Sequence, residues 1–203
     1  MTTLLFDLDG TLVDSRVVVE RQWRRLCQRL GLDFSEVLAV LHGVRSSDVI
    51  RAFAPDVDVE AEAAALDAAE QADSDGLEVV RGAPELLARL PADGWGVVTS
   101  GHRELAHGRL LAVGLQVPAV MVCGDEVTNG KPDPEGYLTA ATLLSAEPAA
   151  CVVVEDAPAG VQAALAAGMR VIGITTTHAG SALAGASVVI DDLREFDAAL
   201  AAL

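Results

Sequence analysis

The chain has 203 residues, is 51% hydrophobic and 22% charged, and carries a formal net charge of -16. That length suits one sizeable apolar core, or a core with a small second domain. The acidity argues against nucleic acid and anionic membrane as partners, and it requires local cations to draw in any anionic substrate. Cys27, Cys123 and Cys151 are odd in number and lack CxxC spacing, which suits free, buried thiols in a reducing compartment. No leader is expected, because an Asp appears within the first few residues, and no apolar run is long enough to cross a bilayer. The expectation is a cytoplasmic protein, a monomer or weak dimer.

Thr3 to Leu8 reads as a buried strand. From about Ser15 to Leu30 the apolar positions Val18, Trp23, Leu26, Cys27 and Leu30 fall near helical spacing, and Gly31 closes the helix. Short helical patterns follow at Ser35–Leu41 and Ser46–Phe53, separated by His42-Gly43-Val44-Arg45. The stretch from Asp56 to Glu78 holds nine acids and no base, and predicts a helix with a solvated acidic face. After Gly82 helices alternate with apolar strands. The strands are Trp95–Thr99, Ala119–Cys123, Ala150–Glu155, Arg170–Thr175 and Ser187–Ile190. The helices are Pro84–Leu90, Arg103–Val113, Pro134–Leu144, Ala159–Ala167 and Leu193–Leu203. This alternation predicts an α/β core, a doubly wound parallel sheet covered by helices on both faces. The core comprises 1–13 and 81–203, and 14–80 is a small inserted helical cap.

Chemistry concentrates where the predicted strands end, which is where parallel sheets gather ligands. Asp7 and Asp9 lie two apart on the first strand and project together, and Gly10 permits a sharp turn. Two adjacent carboxylates are costly unless a cation or a split of roles uses them. The second strand ends in Thr99-Ser100-Gly101, the third is followed by Lys131, and the fourth ends in Glu155-Asp156. Of the 14 basic residues only Lys131 is a lysine. A chain so biased towards Arg keeps a compact ammonium at one place only. Two acid pairs, a hydroxyl and one amine make an inventory for a divalent metal and a phosphoryl group. An EF-hand starting at Asp7 fails, because its sixth and twelfth positions hold Leu12 and Val18 rather than Gly and Glu.

In this order, Asp7-Leu8-Asp9-Gly10-Thr11, Thr99-Ser100-Gly101, Lys131-Pro132 and Glu155-Asp156 resemble the four motifs of the haloacid dehalogenase-like hydrolase superfamily. Three further pieces resemble its sugar- and polyol-phosphate phosphatases, such as the 2-deoxyglucose-6-phosphate and glycerol-phosphate enzymes. They are His42-Gly43-Val44-Arg45, Val98-Thr99-Ser100-Gly101, and the stretch from Val127 to Glu135. The resemblance implies a Mg²⁺-dependent phosphatase of a small phosphorylated metabolite. It makes Asp7 the nucleophile that forms an aspartyl-phosphate. Asp9 becomes the proton donor and then the base. Thr99, Ser100 and Gly101 become phosphoryl donors, and Lys131 neutralises charge. It assigns Mg²⁺ to Asp7, the Asp9 carbonyl and Asp156, with Glu155 in direct contact or one step behind. In the cap, Arg45 and His42 are the expected substrate-binding residues.

Blander readings accompany these. Asp14, Ser15 and His102 suit helix caps. Asp125 and Asp133 suit turns or the orientation of Lys131. Trp23 and Trp95 suit packing, with Trp23 also placed to line the cap cleft. A β-phosphoglucomutase-like phosphomutase is the alternative enzyme. A phosphonate-cleaving relative that forms a Schiff base is excluded, because the predicted cap has no lysine. Dehalogenation does not need Asp9. A receiver-like switch has adjacent first-strand acids, whereas these alternate.

Overall fold

The computed structural model describes residues 2–91 and 93–203. Six strands form a parallel sheet in the order β5-β4-β1-β6-β7-β8. They are β1 (Thr3–Phe6), β4 (Trp95–Val98), β5 (Val120–Val122), β6 (Cys151–Glu155), β7 (Arg170–Ile174) and β8 (Val188–Ile190). β1 is central. The chain steps outwards on one side through β4 and β5, then returns to β6 on the other side of β1 and continues through β7 to β8. The order therefore reverses between β1 and β6, where an open α/β sheet forms its ligand crevice.

Successive side chains divide between the two faces, as strand geometry requires. Leu4 and Phe6 enter one apolar cluster together with Trp95, Val97, Val152 and Ile172. Leu5 enters the other with Val98, Val153, Val171 and Tyr137. The first face is covered by α5 (Ala83–Arg89), α6 (Arg103–Ala112) and α9 (Phe196–Ala201), and the second by α7 (Glu135–Leu143) and α8 (Pro158–Ala166). The predicted strands and helices of the core appear within one or two residues. The exception is the final segment, a 3-10 turn at Leu193–Glu195 followed by α9.

Between the first two core strands, β2 (Val13–Asp14) and β3 (Glu78–Val79) pair antiparallel as a stalk. The stalk carries α1 (Arg16–Leu30), α2 (Phe34–Leu38), α3 (Ser46–Phe53) and α4 (Val59–Gln71). These four helices share their own apolar cluster around Trp23, Leu26, Val37, Ile50 and Leu66. Gly31 ends α1 in the left-handed region (φ 71), with its N–H on the Cys27 carbonyl.

The acidic stretch departs from its predicted form. Asp58 caps α4 by accepting from the Ala61 N–H, so the helix starts at Val59. It ends at Gln71, and Leu77 N–H bonds back to Ser74 across a turn that contains Gly76 at φ 93. Glu78 belongs to the stalk. The acidic face is also not wholly solvated: Asp67 and Glu70 are buried against the core. Glu70 meets the Arg109 guanidinium there and Asp67 lies against His102, neighbours that the local sequence does not supply.

Leu5 is fully buried, whereas Leu111 on α6 is 57% exposed. Leu5→Ala should cost about 2–5 kcal/mol in denaturant unfolding, and Leu111→Ala no more than about 0.5 kcal/mol. Equal losses would contradict this assignment of the core.

Candidate active site

The candidate site sits at the carboxyl ends of β1, β4 and β6, under the helical insertion. Asp7 follows β1 directly, and its N–H bonds to the Val154 carbonyl at 3.0 Å. Gly10 makes the turn that follows, with φ 87. A Cβ there would lie 2.0 Å from Asp156 Oδ2, so only glycine lets the two loops approach.

Lys131 is the hub. Its Nζ donates to Asp7 Oδ1 at 2.5 Å, to Glu155 Oε1 at 2.6 Å and to the Val98 carbonyl at 3.1 Å. All three ammonium hydrogens thereby have acceptors. Burial pushes the amine down, but the Asp7 and Glu155 carboxylates outweigh it and hold its pKa above the ordinary lysine value. Glu155 is fully used as well. Oε1 also accepts from Tyr137 Oη at 2.8 Å, and Oε2 accepts from the N–H groups of Asp156 and Ala157 at 3.1 and 3.2 Å.

Asp7, Glu155 and Asp156 offer oxygens that lie within 4.8 Å of one another. Burial pushes Asp7 up to about 8, with Lys131 opposing and Glu155 adding to the rise. Burial, then the charges of Asp7 and Glu155, also hold Asp156 well above the ordinary carboxyl value. Asp156 Oδ1 is buried with no hydrogen-bond partner. Close, dry carboxylates with an orphaned oxygen fit a hard divalent cation with oxygen ligands. Because both Glu155 oxygens are already engaged, Asp7 and Asp156 suit direct contact and Glu155 suits a place behind them.

Asp9 Oδ1 accepts from Ser15 Oγ at 2.7 Å, and Arg109 Nη1 lies 2.7 Å from the same oxygen. Ser15 makes no side-chain cap bond, so its expected capping role is replaced by this contact. Thr99 Oγ1 accepts from the Gly101 N–H at 3.1 Å, which leaves its own hydroxyl hydrogen to donate. That bond takes the Gly101 N–H, one of the donors expected to face a phosphoryl group. Ser100 Oγ donates to the Gly43 carbonyl of the insertion at 2.9 Å.

A narrow cleft of about 60 Å³ runs from Asp7, Asp9 and Thr99 to the underside of the insertion, lined there by Trp23, His42, Ser46, Asp67 and Glu70. Arg45 is not among the lining residues, although Val44 and Ser46 are. Its Nε and Nη2 donate to Asp48 at 2.7 and 3.2 Å, and Nη1 donates to the Val127 and Thr128 carbonyls, each at 3.2 Å. Arg45 thus ties the insertion to a core loop, and its charge is spent there. His102 makes no cap bond; its Nε2 lies 3.2 Å from Asp67 Oδ2. Asp125 and Asp133 accept from backbone N–H groups of Arg103 and Glu135, and the Lys131 ammonium bonds to other groups, in keeping with turns.

Arg109 is the residue that sequence reasoning missed. It is buried, with Nη2 2.5 Å from Glu70 Oε2 and Nη1 on Asp9. A signal existed: Arg109 lies four residues after Leu105 and three after Ala106, within the buried stripe of α6. Glu70 likewise follows Ala63 and Leu66 in the stripe of α4. A charge inside an apolar stripe must find a buried partner.

The chain also resembles known proteins in sequence and in fold. The family model described as haloacid dehalogenase-like hydrolase matches residues 4–174. Hexitol phosphatase A of Escherichia coli (strain K12) is 45% identical over 84% of this chain and 81% of its own length. 2-deoxyglucose-6-phosphate phosphatase 1 of Saccharomyces cerevisiae is 37% identical over 94% of this chain and 87% of its own. The crystal structure of a hydrolase from Pseudomonas syringae superposes with a TM-score of 0.87 at 26% identity, covering 97% of each chain.

Gly160 is closed to any side chain, because a Cβ there would lie 1.6 Å from Glu155 Oε1. Gly160→Ala should displace that carboxylate, strand the groups bonded to it and cost about 1–3 kcal/mol in thermal unfolding. Unchanged stability would show that Glu155 is less fixed than its bonds suggest. His42 gives a pH test. Burial lowers its pKa from 6.5 to about 4, with His178 adding to the fall. The unfolded chain protonates this ring near 6.5 while the folded protein keeps it neutral, so folding loses stability as pH falls from 6.5 towards 4. Over that window His42→Gln should lose up to about 3 kcal/mol less than the parent. Parallel stability curves would refute the assignment.

Proposed function

The chain belongs to the haloacid dehalogenase-like hydrolase family, and from that premise we propose that it is a Mg²⁺-dependent phosphatase that hydrolyses a small sugar or polyol phosphate through an aspartyl-phosphate on Asp7. The observation that carries the proposal is the buried Lys131 bridge between Asp7 and Glu155, set beside the orphaned Asp156 oxygen. Lys131 grips one oxygen of Asp7 and orients the carboxylate while leaving the other free to attack. Mg²⁺, held by Asp7, Asp156 and the Asp9 carbonyl with Glu155 behind, would supply the positive charge that lets a dianionic ester approach a carboxylate.

In the first step an Asp7 oxygen bonds to phosphorus, the bond from phosphorus to the substrate's alcohol oxygen breaks, and Asp9 gives that oxygen a proton. In the second step Asp9 takes a proton from water, the water oxygen bonds to phosphorus, and the bond to Asp7 breaks. Two roles on one strand end need two environments. Asp7 sits in the dry pocket on Lys131, whereas Asp9 faces the cleft beside Ser15 and Arg109. Thr99 supplies a hydroxyl donor to the phosphoryl oxygens. The narrow cleft under the helical insertion favours small esters over phosphoproteins. The phosphatase names of the relatives weigh against the phosphomutase alternative.

Release of phosphate from a hexitol phosphate should vanish on chelation and return with Mg²⁺. Asp7→Asn should abolish it, and Lys131→Arg should lower kcat at least about 100-fold, because a guanidinium cannot take the place of three bonds on one nitrogen. Full activity after chelation, or in Asp7→Asn, would overturn the proposal.

A further inference from the structure

We propose that Arg109 is a positioning residue for proton transfer: held by Glu70, its guanidinium pins one oxygen of Asp9 so that the other meets the oxygen of the leaving alcohol. The proposal rests on the phosphatase reading and adds to it what aims the Asp9 carboxyl.

The Asp9 backbone is fixed before any side chain acts. Val13 N–H bonds to the Leu8 carbonyl at 3.0 Å, and Gly10 N–H bonds to the Val13 carbonyl at 2.7 Å, which locks the turn on both sides of Asp9. Rotation of the Asp9 side chain is then what is left to control, and contacts on Oδ1 control it. Ser15 Oγ donates to Oδ1, and Arg109 Nη1 lies 2.7 Å from the same atom. Oδ2 has no partner among the described residues. It is not one of the buried unpartnered atoms either, so it opens on the cleft that Asp9 lines. A carboxyl group keeps lone pairs on Oδ1 whether or not Oδ2 carries a proton. One hold therefore serves the acid of the first step and the base of the second. Oδ2 gives its proton to the alcohol oxygen as the bond to phosphorus breaks, and later takes one from water, without turning in between.

Arg109 is itself held. Its Nη2 donates to Glu70 Oε2 at 2.5 Å, so the guanidinium bridges a carboxylate of the insertion and one of the core. Burying a cation and its partners costs several kcal/mol, which their attraction only offsets. The Nε of Arg109 is buried without a partner, a further cost to stability. Apolar side chains at these two positions would continue the buried stripes of α4 and α6, and such replacements are commonly as stable as the ion pair. Stability alone thus gives no reason for an arginine here. What the guanidinium adds is a rigid fork, two nitrogens in one plane that set the Asp9 oxygen by reference to Glu70. A lysine offers one nitrogen and no such plane.

Phenyl phosphate and 4-nitrophenyl phosphate, compared at saturating Mg²⁺, test the proposal. The two are close in size, but nitrophenolate leaves readily without a proton and phenolate does not. The quantity to compare is kcat/KM, which reports the steps up to release of that oxygen. Arg109→Met should lower it for phenyl phosphate at least about tenfold more than for 4-nitrophenyl phosphate, because an acid out of line forfeits part of the about 10²–10⁴-fold that proton transfer supplies. With Asp9→Asn already in place, Arg109→Met should shift the two esters alike, since no proton is left to aim. A merely structural arginine would lower both esters equally in either background, and an arginine that binds substrate would act on both through KM; either result would overturn the proposal. Should Arg109→Met fail to fold, Arg109→Lys, which keeps the buried charge without the fork, should show the same bias at about threefold or more, and equal losses would again overturn it. Those failures leave the phosphatase reading standing. A parent enzyme that releases phosphate from neither ester would remove that reading as well.

Discussion

The structure turns on a buried ammonium held between two buried carboxylates. Lys131 and its partners Asp7 and Glu155 come from three separate stretches of the chain, and each is all but inaccessible to water. Burying any one of them alone would cost several kcal/mol; together they satisfy one another. Tyr137 and the N–H groups at the start of α8 complete the shell around Glu155, and Gly160 clears the space that the shell needs. The result is a rigid base on which one oxygen of Asp7 is held and the other is free. Such precision is costly to build on loops. Here Asp7, the Val98 carbonyl and Glu155 stand where β1, β4 and β6 end side by side, and Lys131 reaches them from the turn before α7.

The second organising feature is the seam between the helical insertion and the core. Several contacts cross it, among them the approach of His102 to Asp67. Ser100 reaches the Gly43 carbonyl, Arg45 reaches the Val127 and Thr128 carbonyls, and Arg109 reaches Glu70. The last also touches Asp9, so the acid proposed to move protons shares a cation with the insertion. The position of the insertion and the setting of Asp9 are thereby linked: a helix that withdrew Glu70 would alter the field on Asp9. Ser15, which begins the insertion, holds the same Asp9 oxygen from the other side.

Most of the core was legible because its signals are local. Period-two burial in Leu4, Leu5 and Phe6, and glycine stops such as Gly31, follow from short-range rules, and the strand-end placement of Asp7, Thr99 and Glu155 follows from sheet topology. What was not legible depends on partners distant in sequence. Nine acids without a base read as a solvated face, because nothing nearby shows that Asp67 and Glu70 meet His102 and Arg109 from another element. Arg45, two residues after Gly43, read as a free cation for the same reason: its acceptors on the core loop lie more than 80 residues away. Ser15 read as a cap because helix starts favour serine, yet a carboxylate six residues earlier takes its hydroxyl. Arg109 and Glu70 stood in apolar stripes, where each implied a buried partner without identifying it.

The net charge of -16 sharpens what the site must accomplish. At long range the protein repels a phosphate ester, so steering contributes little and recognition depends on forces that act within a few ångströms. Lys131 cannot serve as an open anion receptor, since its three hydrogens are committed to Asp7, Glu155 and the Val98 carbonyl. Arg109 is likewise committed to Asp9 and Glu70. The positive charge needed to accept a phosphoryl group must therefore be additional to the side chains, and the carboxylates of Asp7 and Asp156, raised in pKa by burial, are where it would be stabilised most. On the proposed reading, a protein that neutralises nearly every cation it places near its cleft would owe its affinity for phosphate to an ion it must acquire.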